Sequence, residues 1–295
     1  PENTNKTEGI TLTEVLLPTE ISLPTVTTIP TVGETSPSTD EVLVSSLVEH
    51  TGILDLNHDG SDLDLDPLSF GGPISDLSEN LYVTLTNYDR ANGIVIPEAA
   101  ESWSVSTDGK FYTFTIRQDI PWVKHTLGGE TSQVLDEDGN GRFVSSRDFD
   151  YAIKRMCGID GYGLASQFAP LIKGCQDVFS YEDPDNIPEE LFEQIGVSAI
   201  SDFELLIELT EPAAYFLTMT TLPTIAAVPQ WTVEKYGDAW KNPGTIVTSG
   251  YYVVDNFKLG ESIHLAYNEL IPEVENSEGN VGRINILLGQ SYEDA

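Results

Sequence analysis

The sequence predicts an α/β fold, a mixed sheet interrupted by an inserted α+β portion. Three observations predict it. Short alternating runs such as Phe111–Arg117 and Ser262–Tyr267 recur between segments whose apolar residues fall at 3/4 spacing. The stretch Val228–Tyr252, VPQWTVEKYGDAWKNPGTIVTSGYY, runs from a proline-led turn through a short helix over Thr232–Trp240. It then passes Pro243-Gly244 and Ser249-Gly250 into a strand over Tyr251–Val254, delivering backbone to the edge of a sheet. Finally, 40% apolar residues in a chain of 295 are enough to fill a real core.

Charge excludes several function classes. The chain carries 48 acidic against 14 basic residues, a net charge of −34. Such a surface repels phosphate backbones and anionic lipid headgroups, which argues against nucleic-acid binding and polybasic membrane contact. It suits an exported protein or one from a salty habitat. No apolar run reaches the roughly 18 residues of a membrane-spanning helix.

Taken in order, residues 1–41 read as a disordered tether. Thr, Pro, Glu and Ser dominate, prolines recur at Pro18, Pro24, Pro30 and Pro37, and no aromatic residue is present. Such a stretch buries too little apolar surface to offset chain entropy. The folded body is expected from Val42, with a first strand over Val42–Val48 and a helix over Ile74–Thr84. The composition pattern then divides the body into a core, residues 42–79 plus 229–295, and an inserted α+β subdomain, residues 80–228. Within the insertion, a hairpin spans Tyr88–Pro97, and Asp108-Gly109 turns the chain into the strand Phe111–Arg117. A long hairpin follows over Leu127–Arg142. Ser145 or Ser146 caps a helix with Asp148 in its first turn and Phe149, Ile153 and Met156 facing inward. A short helix over Glu189–Ile195 and a strand over Phe203–Leu209 complete it. The last strands are expected at Ser262–Tyr267 and Arg283–Leu288.

Two features bear on metals and redox state. Asp55-x-Asn57-x-Asp59-Gly60 followed by Asp66 places oxygen ligands at positions 1, 3, 5 and 12 of a calcium loop, with glycine at 6. An acidic turn between strands is the competing reading, and no other cofactor is expected. A second partial match, Asp136-x-Asp138-x-Asn140-Gly141, has Arg147 at position 12 and reads better as a hairpin tip. Cys157 and Cys175 are the two cysteines. With export they are expected to form a disulfide contributing about 3 kcal/mol by the loop-entropy estimate. The four histidines, His50, His58, His125 and His264, show no pair at helical ligand spacing, which argues against zinc.

The spacing of Pro229, Glu234, Lys235, Tyr236, Gly237, Asp238, Trp240, Pro243, Ile246, Val247, Thr248, Gly250 and Tyr252 resembles the oligopeptide-binding branch of the family 5 extracellular solute-binding proteins. The text P-x-x-A-E-S-W-x-V-S-x-D-G-x-x-Y-T-F-x-I-R over Pro97–Arg117, the Leu65-Asp66-Pro67 step and the x-P-x-x-Y-F-L text over Glu211–Leu217 are similar to the same family, and for the last the resemblance implies a buried helix. The resemblance implies a periplasmic-binding-protein-like (type II) lobe I, with the second lobe outside this chain. It implies capture of an extracellular oligopeptide between two lobes and delivery to a membrane permease of an ABC importer, with a monomeric, non-enzymatic protein held outside the cell by an N-terminal lipid anchor. The implied ligand-binding residues are Phe70, Gly71, Gly72, Tyr162, Ser249, Gly250 and Tyr251. The acid that pairs with a peptide's amino terminus belongs to the family's second lobe. Tyr251 stands where the family has Pro or Ala, which keeps sugars and metal chelates open as ligands. A carboxylate-based hydrolase is the alternative from another class, although no G-x-S-x-G, H-E-x-x-H, P-loop or Cys/His constellation supports it.

Overall fold

The computed structural model describes residues 49–58, 64–69, 75–158, 164–272 and 279–289, all within the unit Leu47–Ala295. The expected tether and the expected strand over Val42–Val48 lie outside the described residues.

In chain order the first elements are β1 (Gly52–His58), α1 (Ser75–Leu81), β2 (Thr86–Asp89), β3 (Ile94–Pro97), β4 (Ala100–Val105), β5 (Phe111–Ile116), β6 (Val123–His125) and β7 (Thr131–Gln133). There follow α2 (Ser146–Gly158), α3 (Ala165–Phe168), α4 (Cys175–Phe179), α5 (Glu189–Phe192), β8 (Val197–Ser201) and β9 (Glu204–Glu208). The chain closes with α6 (Phe216–Met219), α7 (Gln230–Tyr236), β10 (Tyr252–Lys258), β11 (Ser262–Tyr267) and β12 (Val281–Leu288).

The strands form two four-stranded sheets and two two-stranded ones, β2-β3 and β6-β7. The first has the order β1-β12-β11-β10, with β1 parallel to β12 and the other pairs antiparallel. The second, β4-β5-β9-β8, is antiparallel throughout. The first sheet thus joins the two ends of the described chain, whereas the second is drawn entirely from between them. One buried cluster runs from Leu65 to Leu288 through both regions, with Trp122, Trp240, Phe114, Phe149 and Phe216 among its largest members.

Local chemistry explains the elements that frame the site. In β5, Tyr112, Phe114 and Ile116 point inward while the alternate residues do not, the period-2 pattern of a half-buried strand. Its entry turn places Gly109 at φ 73°, a conformation costly for any residue with a Cβ. In α2 the Ser145 backbone N–H donates to Asp148 Oδ2 at 2.8 Å, closing the helix start as expected, and Phe149, Ile153, Met156 and Cys157 are buried. Cys157 at the end of α2 and Cys175 at the start of α4 are brought into disulfide geometry, with Cα atoms 5.2 Å apart.

Several expectations need correction. The helix expected over Thr232–Trp240 stops at Tyr236, because Gly237 takes φ 52° and the chain tightens into a 3-10 turn over Gly237–Lys241. The buried helix expected over Glu211–Leu217 begins only at Phe216. Phe216 is buried, but Tyr215 is 58% exposed. β8 was not legible in advance, since Val197 alone on it is buried. The long hairpin divides in two: β6 pairs with β7, and a second turn over Asp136–Gly141 is closed by the Asp136 N–H donating to the Asn140 carbonyl at 2.8 Å.

Candidate ligand-binding site

The signature stretch forms a backbone clasp. Val123 and Thr248 exchange N–H···O bonds, each 2.9 Å, which anchors the stretch to β6. The N–H groups of Ser249 and Gly250 both donate to the Leu81 carbonyl, at 3.0 and 2.9 Å, and Ser249 Oγ accepts from the Val83 N–H at 3.2 Å. Asn268 Nδ2 donates to the Gly250 carbonyl at 3.0 Å. A Cβ on Gly250 would sit 2.5 Å from the Asn80 carbonyl oxygen, so only glycine allows this backbone approach. Ser249 and Gly250 are therefore buried structural groups, with their amides already engaged. They hold the exit of α1 against the start of β10.

Tyr251, the next residue, is placed differently. Its ring lines a cavity of about 460 Å³ between the end of α1, the β2–β3 hairpin and α6. Glu98, Thr84 and Asn87 supply polar atoms to the same cavity, and Met219 and Leu222 supply apolar ones. Glu98 is only 7% exposed. Its Oε2 accepts from the Thr84 N–H at 2.8 Å and pairs with the Thr84 hydroxyl, while Oε1 has a long contact of 3.4 Å from Asn87 Nδ2. Burial raises the Glu98 carboxyl to about 7, against the lowering pull of the Thr84 hydrogen bonds. Burial, and then the neighbouring Glu98, hold the Tyr251 phenol above its usual range. Glu98 was missed in the sequence because Pro97-Glu98-Ala99-Ala100 reads as ordinary strand text. The available signal was a carboxylate set between proline and two small residues that are fully buried.

The Asp66 neighbourhood became a latch. Asp66 is 3% exposed, and both its carboxylate oxygens accept from the Arg155 guanidinium, NH1 at 3.0 Å to Oδ1 and NH2 to Oδ2. Oδ1 also accepts from the Leu68 N–H at 3.0 Å. Arg155 lies 5.6 Å over the Trp240 ring, so one guanidinium ties residues from three distant parts of the chain. Next to it, burial alone would raise Asp64, but the hydrogen bond from Lys241 at 2.9 Å, together with those from the Asp66 N–H and Ser69 and the Lys241 charge, outweighs it and holds the carboxyl low.

The described members of the calcium-loop spacing take part in other contacts. Asp55 and Asn57 lie on β1, in ladder register with Asn285 and Leu287, and Asp66 is engaged by Arg155. Asp55 instead accepts from Asn285 Nδ2 at 2.8 Å. No group of three metal-ligating side chains is found among the described residues. The second acidic match is the hairpin tip already described, its Asp136 Oδ1 accepting from the Asp138 and Asn140 N–H groups. Asp59, Phe70, Gly71, Gly72 and Tyr162 lie outside the described residues.

One hydroxyl–imidazole–carboxylate chain bears on the hydrolase alternative. Thr131 Oγ1 lies 2.8 Å from His125 Nδ1, and His125 Nε2 lies 3.2 Å from Asp255 Oδ1. Arg283 pairs with the other Asp255 oxygen at 3.1 Å. The nearby Gly128 and Gly129 N–H groups already donate to the carbonyls of Asp255 and Thr126, at 2.7 Å each, so they offer no oxyanion pocket. The chain of contacts ties the β6–β7 hairpin to β10 and β12.

Solved structures share this architecture. The Haemophilus influenzae OppA complex with the peptide RPPGFSPFR superposes with a TM-score of 0.64 and 25% identity, covering 82% of this chain and 43% of that one. The unliganded open form of the periplasmic murein tripeptide-binding protein MppA gives 0.63 and 24%, covering 83% and 43%. The fold is therefore that of the periplasmic-binding-protein-like α/β class. Among curated relatives, the periplasmic oligopeptide-binding protein OppA of Escherichia coli K12 is 30% identical over 217 residues, 71% of this chain and 35% of the relative. The oligopeptide-binding protein SarA of Streptococcus gordonii is 26% identical over 219 residues, 73% of this chain and 30% of the relative. The chain thus spans about a third of the length of these relatives. The family model described as bacterial extracellular solute-binding proteins, family 5 Middle, matches residues 95–277. The chain belongs to that family.

Proposed function

We propose that this chain is the first lobe of the substrate-binding component of an ABC importer, a binding protein and not an enzyme. In this reading it captures extracellular oligopeptides against a second lobe and hands them to a membrane permease. The observation that carries it is the continuous family match over residues 95–277, which includes the Thr248–Tyr252 clasp. Peptide capture needs main-chain contacts that ignore sequence and a closing surface that excludes water. Phe70–Gly72 and Tyr162 are assigned to the peptide-facing rim with Tyr251, and lobe closure about a hinge supplies the rest. The acidic surface and the Cys157–Cys175 geometry fit an oxidising, extracellular or periplasmic compartment. We assign residues 1–41 as the spacer to an N-terminal lipid anchor and expect a monomer.

A non-peptide ligand is the second reading. It rests on the 26% identity over 180 residues to a probable deoxycholate-binding periplasmic protein of Escherichia coli K12. Thermal-shift measurements against mixed peptides, oligosaccharides and bile acids, on this chain and on a version extended through the second lobe, separate the two. Peptides should raise the melting temperature of the extended form. A shift with bile acid or sugar alone would replace the peptide reading, and hydrolysis abolished by a single acid substitution would replace the binding-protein reading.

A further inference from the structure

The Glu98 cavity has a chemistry of its own. The Thr84 hydroxyl has one proton and two claimants, the Thr86 carbonyl at 2.7 Å and Glu98 Oε2. Thr86 lies opposite Pro97 in the β2–β3 ladder, and proline has no N–H to offer that carbonyl. With Glu98 neutral, every group is served. The carboxylic acid donates to Thr84 Oγ1, Thr84 donates to Thr86, and the Thr84 N–H donates to Oε2. With Glu98 ionised, the Thr84 proton turns to the carboxylate and the Thr86 carbonyl loses its donor.

Among the described residues no cation forms an ion pair with this carboxylate. Arg117 is within electrostatic reach, but its Nε and NH2 donate to Asp119 at 2.9 Å each. Arg90 and Glu79 also line the cavity, both exposed, and Glu79 opposes ionisation of Glu98. Tyr88 and Tyr251 bring their phenols to the same walls. A buried carboxylate without a cation is costly, and at neutral pH it resolves that cost by holding a proton. The other way to resolve it is to accept a cation from outside. Oε1, with its single long contact to Asn87, has the acceptor capacity to do so. The thioether of Met219 and the side chain of Leu222 provide apolar wall for an aliphatic stem.

We propose that the cavity between α1, the β2–β3 hairpin and α6 binds a primary ammonium group on an aliphatic stem, with Glu98 as its counter-ion. The ammonium enters charged, Glu98 releases its Oε2 proton to solvent, the Thr84 hydroxyl turns to donate to Oε2, and the ammonium N–H groups donate to Oε1. A lysyl side chain, a free amino terminus and a diamine all present this chemistry. The site lies wholly within this chain and does not depend on the peptide reading.

Isothermal titration of the 295-residue chain, at pH 6 and pH 8 and in two buffers of different ionisation enthalpy, tests the proposal. The probes are cadaverine, acetyl-Ala-Lys-Ala-amide, Ala-Ala-Ala-amide with a free amino terminus, and 1-pentanol. Cadaverine should bind and release about 0.9 proton at pH 6 and about 0.1 at pH 8, as a group titrating near 7 requires. The two peptides tell whether side chain or amino terminus is the better source, and pentanol should fail to bind. Glu98→Gln keeps the shape of the neutral acid and should weaken cadaverine at least tenfold and abolish proton release. Carboxyl NMR titration of the unaltered chain needs no variant. Saturating cadaverine should lower the Glu98 titration by about two units or more, as release of about 0.9 proton at pH 6 requires. Absence of binding by every amine, equal binding to Glu98→Gln, or binding without proton release at pH 6 would each overturn the site. None of these results decides whether the extended protein takes peptides.

Discussion

Asp66 and Glu98 are both buried carboxylates, and the protein treats them in opposite ways. Asp66 faces Arg155, so its charge is matched by a guanidinium that in turn lies over Trp240. Glu98 faces Thr84, Asn87 and a cavity, so its charge is removed by a proton. The first arrangement joins residues 66, 155 and 240 and is structural. The second leaves an acceptor atom beside open volume, which is a binding site in waiting. Burial alone does not mark a functional acid; the identity of the neutralising partner does.

The largest expected effect breaks the matched pair. Asp66→Asn leaves the Arg155 guanidinium buried without its carboxylate and should cost about 3–5 kcal/mol in urea unfolding. Glu98→Gln at pH 5 should stay within about 1 kcal/mol, because it replaces a neutral acid with a neutral amide. Equal losses in the two variants would mean that Glu98 is ionised and paired after all.

The pH dependence sharpens the same contrast. Glu98 moves from an ordinary value of 4.5 to about 7 in the folded protein, so the folded state holds more protons than the unfolded state between those values. Stability is then highest below 4.5, falls as pH rises, and levels off above 7, by about 3 kcal/mol from this group. Asp148, raised by burial to about 6, adds a fall in the same direction over a lower window. Urea midpoints measured from pH 4.5 to 8 should decline, and Glu98→Gln should flatten the upper part of that decline. An unchanged slope in the variant would refute the assignment.

Backbone effects come next. Gly250→Ala forces a Cβ against the Asn80–Tyr82 backbone and should cost about 1–3 kcal/mol by overpacking, while shifting Tyr251 in the cavity wall. Denaturant unfolding alongside cadaverine affinity reads both consequences. The smallest effect is expected at Tyr215→Ala, which should change stability by less than about 0.5 kcal/mol because the ring is exposed. A loss above 1 kcal/mol would restore the buried-helix expectation for that residue.

Much of the architecture was determined by the sequence alone. Alternation in β5 and β11, the Asp108-Gly109 turn and the Ser145–Asp148 helix start are local matters, set by backbone sterics and nearest-neighbour hydrogen bonds. The family was legible too, because its signature is a run of turn and strand residues at set spacings. The roles of individual acids were not. Asp55, Asn57 and Asp66 have calcium-loop spacing, but strand pairing with Val281–Leu288 and the guanidinium of Arg155 claimed them from more than 80 positions away. Gly250, expected as a ligand contact, is also the point where two backbones meet. Glu98 carried no signal of its own, since its protonation depends on Thr84 beside it and on having no ion-pair partner among the described residues. Charge, burial and partner are properties of position in space, and only the tertiary structure decides them.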